Sequence, residues 1–236
     1  LMMQDGVRAQ EDGFLTGGVI NHWNAPALRG AGSAAQKWTT AELAAYLATG
    51  RNAHSTANGE MGLVVEHSLQ YLSDEDILAM AAFMKGVDGE AVEVPAEVAP
   101  LDAGAITPLA ADAAGAETAK MLTEAMPDMP LGARLYLDNC VGCHFASGKG
   151  APEIFPELAG NSLVTGSEVT PLISIILNGA EVAPTAKRPM SLRMQGYADR
   201  LSDEEIAELT TFLRSAWGNS ASAVSAQDVK DQRAAQ

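Results

Sequence analysis

Apolar residues along this chain recur at helical spacing. Ile77, Met80, Ala81 and Met84 fall three or four positions apart, and so do Ile206, Leu209, Thr210 and Leu213, so each series forms one stripe on a helix. Both series follow the same start, Leu72-Ser73-Asp74-Glu75 and Leu201-Ser202-Asp203-Glu204. In each, the serine is the expected N-cap and the acidic residues occupy the first turn, where the helix dipole favours them. Thr39 and Glu42 form a capping-box pattern ahead of Leu43, Tyr46 and Leu47. No segment sustains strand alternation, so a mainly α protein is expected.

The two LSDE helices belong to a longer repeat. Pro26-Ala27-Leu28-Arg29-Gly30 parallels Pro156-Glu157-Leu158-Ala159-Gly160, and a helix ending Leu47-Ala48-Thr49-Gly50 parallels one ending Leu177-Asn178-Gly179. From the proline to the LSDE leucine is 46 residues in one copy and 45 in the other. Between the copies, from about Asp88 to Pro130, the chain is rich in Ala, Pro, Glu and Asp. That is a linker composition in which Ala116 to Ala125 can form one helix. The polar end, Asn219 to Gln236, is expected to fray or to lie on a partner.

Composition narrows the function. Thirty acidic against fifteen basic residues give a net charge of −15, which disfavours nucleic acid because phosphate binding needs clustered Lys and Arg. Aromatics make up only 5% of a chain that is 47% apolar, a deficit that a buried cofactor would fill. No apolar run approaches the roughly 20 residues of a membrane span. The first residues lack a signal peptide's basic start and apolar run. The expectation is a soluble chain whose start has been processed away or is not included.

The only two cysteines stand in Cys140-Val141-Gly142-Cys143-His144. Cys-x-x-Cys-His is the attachment signature of c-type haem: two thiols add to the haem vinyl groups and the adjacent His binds iron. A helix presents residues 140, 143 and 144 together, and Leu131 to Leu137 supplies one immediately before them. Three other readings compete with covalent haem. A thioredoxin-like redox pair needs a βαβ context that the pattern lacks. A zinc site needs a second ligand pair, and His22, His54 and His67 make none at suitable spacing. A plain disulfide would close too short a loop to constrain a chain of this length.

A haem for electron transfer needs a sixth ligand, and a Met thioether is the usual choice that raises the reduction potential. Met194 lies 50 residues after His144 in an apparently irregular stretch before the second LSDE helix, and Met190 is the alternative nearby. Pro156, with Leu158 and Gly160, is the candidate for the other side, where a backbone carbonyl can accept the remaining imidazole N–H. The first copy has no CxxCH: the position equivalent to Cys140 is Gln10. It does carry Met61, eleven residues before Leu72, in what reads as a loop. Either this copy has lost its haem or its attachment motif lies upstream of Leu1; the second is favoured, because a haem-free copy has no reason to keep Met61, which is then a candidate ligand to a second haem.

These residues together resemble the multi-haem cytochrome c subunits of membrane-associated bacterial dehydrogenase complexes, the quinoprotein alcohol dehydrogenase and its gluconate, fructose, sorbitol and aldehyde relatives. The resemblance rests on Phe14 to Gly18, Trp23 to Gly30, Gly50-Arg51-Asn52-Ala53-His54-Ser55, Gly59 to Ser68, Cys140 to Gly150, Phe155 to Asn161 and Trp217-Gly218-Asn219. It implies tandem cytochrome c domains: residues 1–87, incomplete and lacking a CxxCH segment; a linker over 88–130; a complete domain over 131–218; and a tail over 219–236. Family members carry three haems c, with Met194 and Met61 at axial positions. The resemblance implies a periplasmic chain peripheral to the outer face of the cytoplasmic membrane. It would take electrons from a large catalytic subunit of PQQ, flavin or molybdenum type and pass them to ubiquinone. The family's Met-Pro is Met194-Gln195 here. Rival expectations are a haem enzyme of dihaem peroxidase or thiosulfate dehydrogenase type, and a free soluble electron shuttle.

Overall fold

The computed structural model describes residues 13–20, 23–30, 32–89, 91–98 and 109–235. The readings that involve Gln10, His22 and residues 99–108 of the Ala/Pro-rich segment lie outside the described residues. The first half contains a small antiparallel pair, β1 (Gly18–Ile20) and β2 (Trp23–Ala25), then helices α1 (Ala34–Lys37), α2 (Thr40–Thr49), α3 (Gly59–His67) and α4 (Asp74–Gly86). The second half begins with α5 (Ala116–Glu124), α6 (Leu131–Asn139), the single turn α7 (Val141–His144), α8 (Ser162–Thr165) and α9 (Thr170–Asn178). A second antiparallel pair follows, β3 (Gly179–Val182) with β4 (Leu192–Gln195), and α10 (Asp203–Ser215) and α11 (Ala226–Ala234) complete the chain. The protein is mainly helical, and no helix among the described residues is long and apolar enough to cross a membrane.

The repeat is visible in the local geometry. Ser73 and Ser202 cap α4 and α10, each hydroxyl accepting from the backbone N–H three residues on at 3.2 Å. Thr39 and Glu42 close the capping box of α2, the Glu42 carboxylate accepting from Thr39 N at 2.7 Å. Gly50 and Gly179 end α2 and α9 with φ of 75° and 81°, a region that a side chain makes costly.

Two hydrophobic clusters result. In the first, α2 crosses α4 through Ala44 and Ala81, both at 0% exposure, with Leu43, Leu47, Val65, Leu69 and Ile77 around them. In the second, α6 crosses α10, and Tyr136, Phe212 and Trp217 meet with ring centroids 5.0–5.6 Å apart. Ile206, Leu209 and Thr210 have no exposure at all. The counterpart face of α4 differs: Met80, expected within the apolar stripe, is 36% exposed and Phe83 is 58% exposed. Among the described residues nothing occupies on α4 the place that α6 takes on α10. The segment between the repeats contributes to both clusters, Val98 to the first and Leu122 and Met129 to the second.

The polar C-terminal residues correct an expectation. They do not fray, because α11 packs on this chain's own α9 and α10. Val224 and Val229 are buried, and Arg233 donates to Asp203 and to the carbonyls of Ala198 and Leu201. A capping box of Ser225 and Asp228 starts the helix. One buried valine and one well-placed arginine are enough to dock a helix whose other faces are wet.

The crossing of α6 on α10 depends on Gly132. A Cβ there would stand 2.3 Å from the backbone oxygen of Glu208 and 2.7 Å from Phe212 Cβ, and backbone cannot move aside cheaply. Gly132→Ala is expected to destabilise the protein by about 2–3 kcal/mol and to lower the thermal midpoint by roughly 5 °C or more. Gly32→Ala, where no atom lies within 4 Å, is the neutral control. Equal melting curves for the two variants would refute this account of the crossing.

Candidate functional site

The site is built where α6 stops. Cys140 leaves helical geometry at φ −121°, and one further turn, α7, carries Val141 to His144. Phe145 then ends the turn at φ 57°, its carbonyl accepting from Tyr136 Oη at 2.7 Å. The two cysteines are free, Cys140 partly buried and Cys143 exposed. Burial, with Cys143 adding to it, pushes the Cys140 thiol up to about 12, so it is protonated at neutral pH.

His144 is buried, and burial lowers its pKa, which keeps the ring neutral. Its Nδ1 lies 2.9 Å from the carbonyl oxygen of Pro156. A carbonyl can only accept, so Nδ1 carries the proton and Nε2 carries the free lone pair. The segment bearing Pro156 is itself tied back, since Leu158 N donates to Gly148 O at 2.7 Å and Gly150 N to His144 O at 3.3 Å. Two residues that spacing alone did not single out support this loop. Trp217 packs on Gly148 and donates from Nε1 to Ala146 O, and Asn219 bridges Gly160 N, Leu158 O and Leu213 O.

Met194 is not in irregular chain, as its surroundings suggested. It sits on β4 opposite Ala180, half-buried against the same cluster as Cys140 and Val141. The alternation was hidden because the pair is only four residues long and its partner strand begins at a glycine. Tyr197 anchors the end of this segment, its hydroxyl donating to Asn139 O at 2.6 Å beside the cysteine turn. Met190 is 72% exposed. Met61 is likewise not in a loop: it occupies the first turn of α3, half-buried against the first cluster. The helix starts at Gly59 because Gly accepts the φ of 56° needed there, close against the Trp23 ring.

These donors suit a covalently held haem. Two free thiols one turn apart, a neutral imidazole whose only free nitrogen is Nε2, and a half-buried thioether on the same apolar cluster are the groups such a cofactor requires.

A second polar group joins the halves. His54 places Nε2 3.1 Å from Glu42 and Nδ1 3.2 Å from Glu157, with its ring stacked on Trp38. Carboxylates only accept, so both ring nitrogens are protonated and His54 is a cation. The carboxylates Glu157 and Glu42 raise its pKa to about 9, and His54 in turn holds Glu42 down to about 2. Beside it, Arg51 and Arg188 are buried, Arg188 pairs with Glu153, and among the described residues Arg51 Nε and Arg188 Nη2 have no hydrogen-bond partner. The sequence offered no local signal for this group, because its members are far apart in the chain.

A family profile described as cytochrome c matches residues 130–217. The cytochrome c subunit of a quinone alcohol dehydrogenase from Gluconobacter oxydans is 34% identical over 223 residues, covering 93% of this chain and 43% of its own length. The gluconate 2-dehydrogenase cytochrome c subunit of Pantoea cypripedii is 34% identical over 217 residues, covering 91% of this chain and 46% of its own. Cytochrome c-552 of Thermus thermophilus is 33% identical over 93 residues, 37% of this chain and 69% of the relative. The chain thus spans under half the length of the dehydrogenase subunits it matches.

The His54 pairs set a pH window for stability. A raised histidine pKa contributes fully below its ordinary value of 6.5 and is lost as pH rises through about 9. A lowered carboxylate contributes above its ordinary 4.5 and is lost as pH falls towards about 2. The shared contribution is therefore greatest from about pH 4.5 to 6.5. Thermal midpoints should decline as pH rises from there through about 9 and decline less in His54→Gln; parallel slopes for the two proteins would refute it.

Proposed function

The chain belongs to the cytochrome c family, and on that premise we propose that it is an electron-transfer subunit of a dehydrogenase complex, with no substrate chemistry of its own. The observation that carries this reading is the bond from His144 Nδ1 to Pro156 O. It supports a single axial role for Nε2, behind two cysteines that would hold haem c covalently.

In this reading Cys140 and Cys143 would hold the group covalently, and His144 Nε2 and the Met194 thioether would be its iron ligands. A haem c in this setting supplies reversible one-electron chemistry at iron. The chain's own part is to keep the imidazole neutral and oriented, to hold both sulfur types in place and to exclude water with the cluster of Tyr136, Leu172, Ile176 and Leu209. Iron held by both of these protein ligands would offer no site to a substrate, which separates this reading from a haem enzyme.

The two clusters correspond to tandem cytochrome c domains, with Met61 available to a second haem in the first. The printed names of the relatives include alcohol, gluconate and fructose dehydrogenases. By extension, a large catalytic subunit of PQQ, flavin or molybdenum type would deliver electrons, and ubiquinone would receive them. Covalent haem attachment and those relatives favour the periplasm, at the outer face of the cytoplasmic membrane, with peripheral association.

Pyridine haemochrome with intact-mass analysis of the holo-protein should show covalent haem that disappears in a Cys140→Ala, Cys143→Ala double variant. Met194→Ala should abolish the far-red methionine-to-iron charge-transfer band and lower the reduction potential while covalent haem is retained. An unchanged spectrum would remove Met194 from the site, and rapid carbon monoxide binding by the unaltered protein would favour a haem enzyme.

A further inference from the structure

Gly50-Arg51-Asn52-Ala53-His54-Ser55 has no part in the proposed haem ligation, yet it touches both chain segments that flank it. On one side, His54 O accepts from Glu157 N at 3.0 Å and the ring bonds the Glu157 carboxylate at 3.2 Å. Glu157 directly follows Pro156, whose carbonyl orients His144. On the other side, Arg51 Nη2 donates to Met190 O at 2.9 Å and lies 3.5 Å from Arg188 O. Those residues lead straight into β4 and Met194. A cross-link closes the circuit: Asn52 O accepts from Glu153 N at 3.0 Å, and the Glu153 carboxylate pairs with Arg188.

The loop is stiff enough to act on what it touches. Gly50 turns it out of α2, and Asn52, 2% exposed, accepts from His54 N and Ser55 N at 2.9 Å while donating to Glu42 O. Thr49 Oγ1 donates to Arg51 O at 3.0 Å. These bonds anchor the loop to the first cluster, so it presents its contacts as part of a rigid body.

We propose that the Arg51–His54 loop of the first half is a clamp on the haem site of the second half, with Arg51 and His54 as positioning residues for the Met194-bearing and Pro156-bearing segments. The proposal rests on the haem ligation proposed above for His144 and Met194. It makes the reduction potential of one site depend on the docking of the other half of the chain.

The groups facing His54 are Glu42 on α2 and Glu157 beside Pro156, with Lys149 3.8 Å from Glu157 and Asp112 3.2 Å from Lys149. Loss of one His54 proton leaves the ring a single N–H for the two carboxylates Glu42 and Glu157, which weakens the link to Glu157 and loosens the Pro156 side of the clamp. The far-red methionine-to-iron band of the ferric holo-protein should therefore weaken as pH rises through about 9.

The experiment compares that band and the midpoint potential, across pH, in the holo-protein and in His54→Gln, Arg51→Met and His67→Gln. His67 is the control, an exposed histidine that among the described residues pairs with Glu66 of its own helix. Under the proposal His54→Gln has a weaker band at neutral pH, a lower potential and no transition near pH 9, and His67→Gln matches the unaltered protein. Arg51→Met, if it folds, shows the same loss without abolishing the pH transition. A His54→Gln protein with the unaltered band, potential and transition would overturn the clamp while leaving the ligation intact. An unaltered protein without the band would overturn the Met194 ligation and the clamp with it.

Discussion

An imidazole offers a lone pair from only one nitrogen, and only when the other carries the proton. The 2.9 Å bond from His144 Nδ1 to Pro156 O makes that choice, and the arrangement of the second half follows from it. A carbonyl buried in a loop keeps its direction only if the loop is fixed. Hence the bonds of Leu158 and Ala159 to Gly148 O, the Trp217 ring laid on Gly148 and the Asn219 side chain under Gly160. Each costs ordering entropy, and the aromatic cluster behind them offsets it.

The two repeats show one design under different constraints. Capping serines, a positive-φ glycine after the middle helix and a proline segment recur in both. The methionines do not occupy equivalent structures, since Met61 is on a helix and Met194 on a strand. The same residue type at similar distance from LSDE therefore reaches its cluster by two backbone routes. The final helices also differ: α10 is covered by α6, whereas α4 exposes Phe83.

Burying charge between the halves needs explanation, because desolvating two guanidinium groups costs several kcal/mol each unless they are paired. Arg188 pairs with the Glu153 carboxylate, and Arg51 donates to the carbonyls of Arg188 and Met190. Burial depresses the Arg51 pKa, and the like charge of Arg188 adds to it. Such a network specifies one geometry more than it adds stability, since a shifted interface would strand an arginine without partners. His54 adds a second fixed point that is charged only while both carboxylates face it.

Short-range physics was legible in the chain. The serines that cap α4 and α10, the Thr39–Glu42 box, α5, the helix before Cys140 and the proline opposite His144 depend on residues within about 16 positions of one another, close enough for spacing to express them. The C-terminal residues have a weak helical tendency, but the docking of their helix was missed because it rests on Val229 and on Arg233, whose partner Asp203 is 30 residues away. The strand under Met194 was missed because four-residue pairs carry too little alternation to read. Composition determined that the chain is acidic, apolar spacing that it is mainly helical, and CVGCH marked the candidate site. Only the tertiary structure decided that Arg51 and His54 reach Met190 and Glu157, because hydrogen bonds across 139 residues have no sequence period and exist only once both clusters have packed.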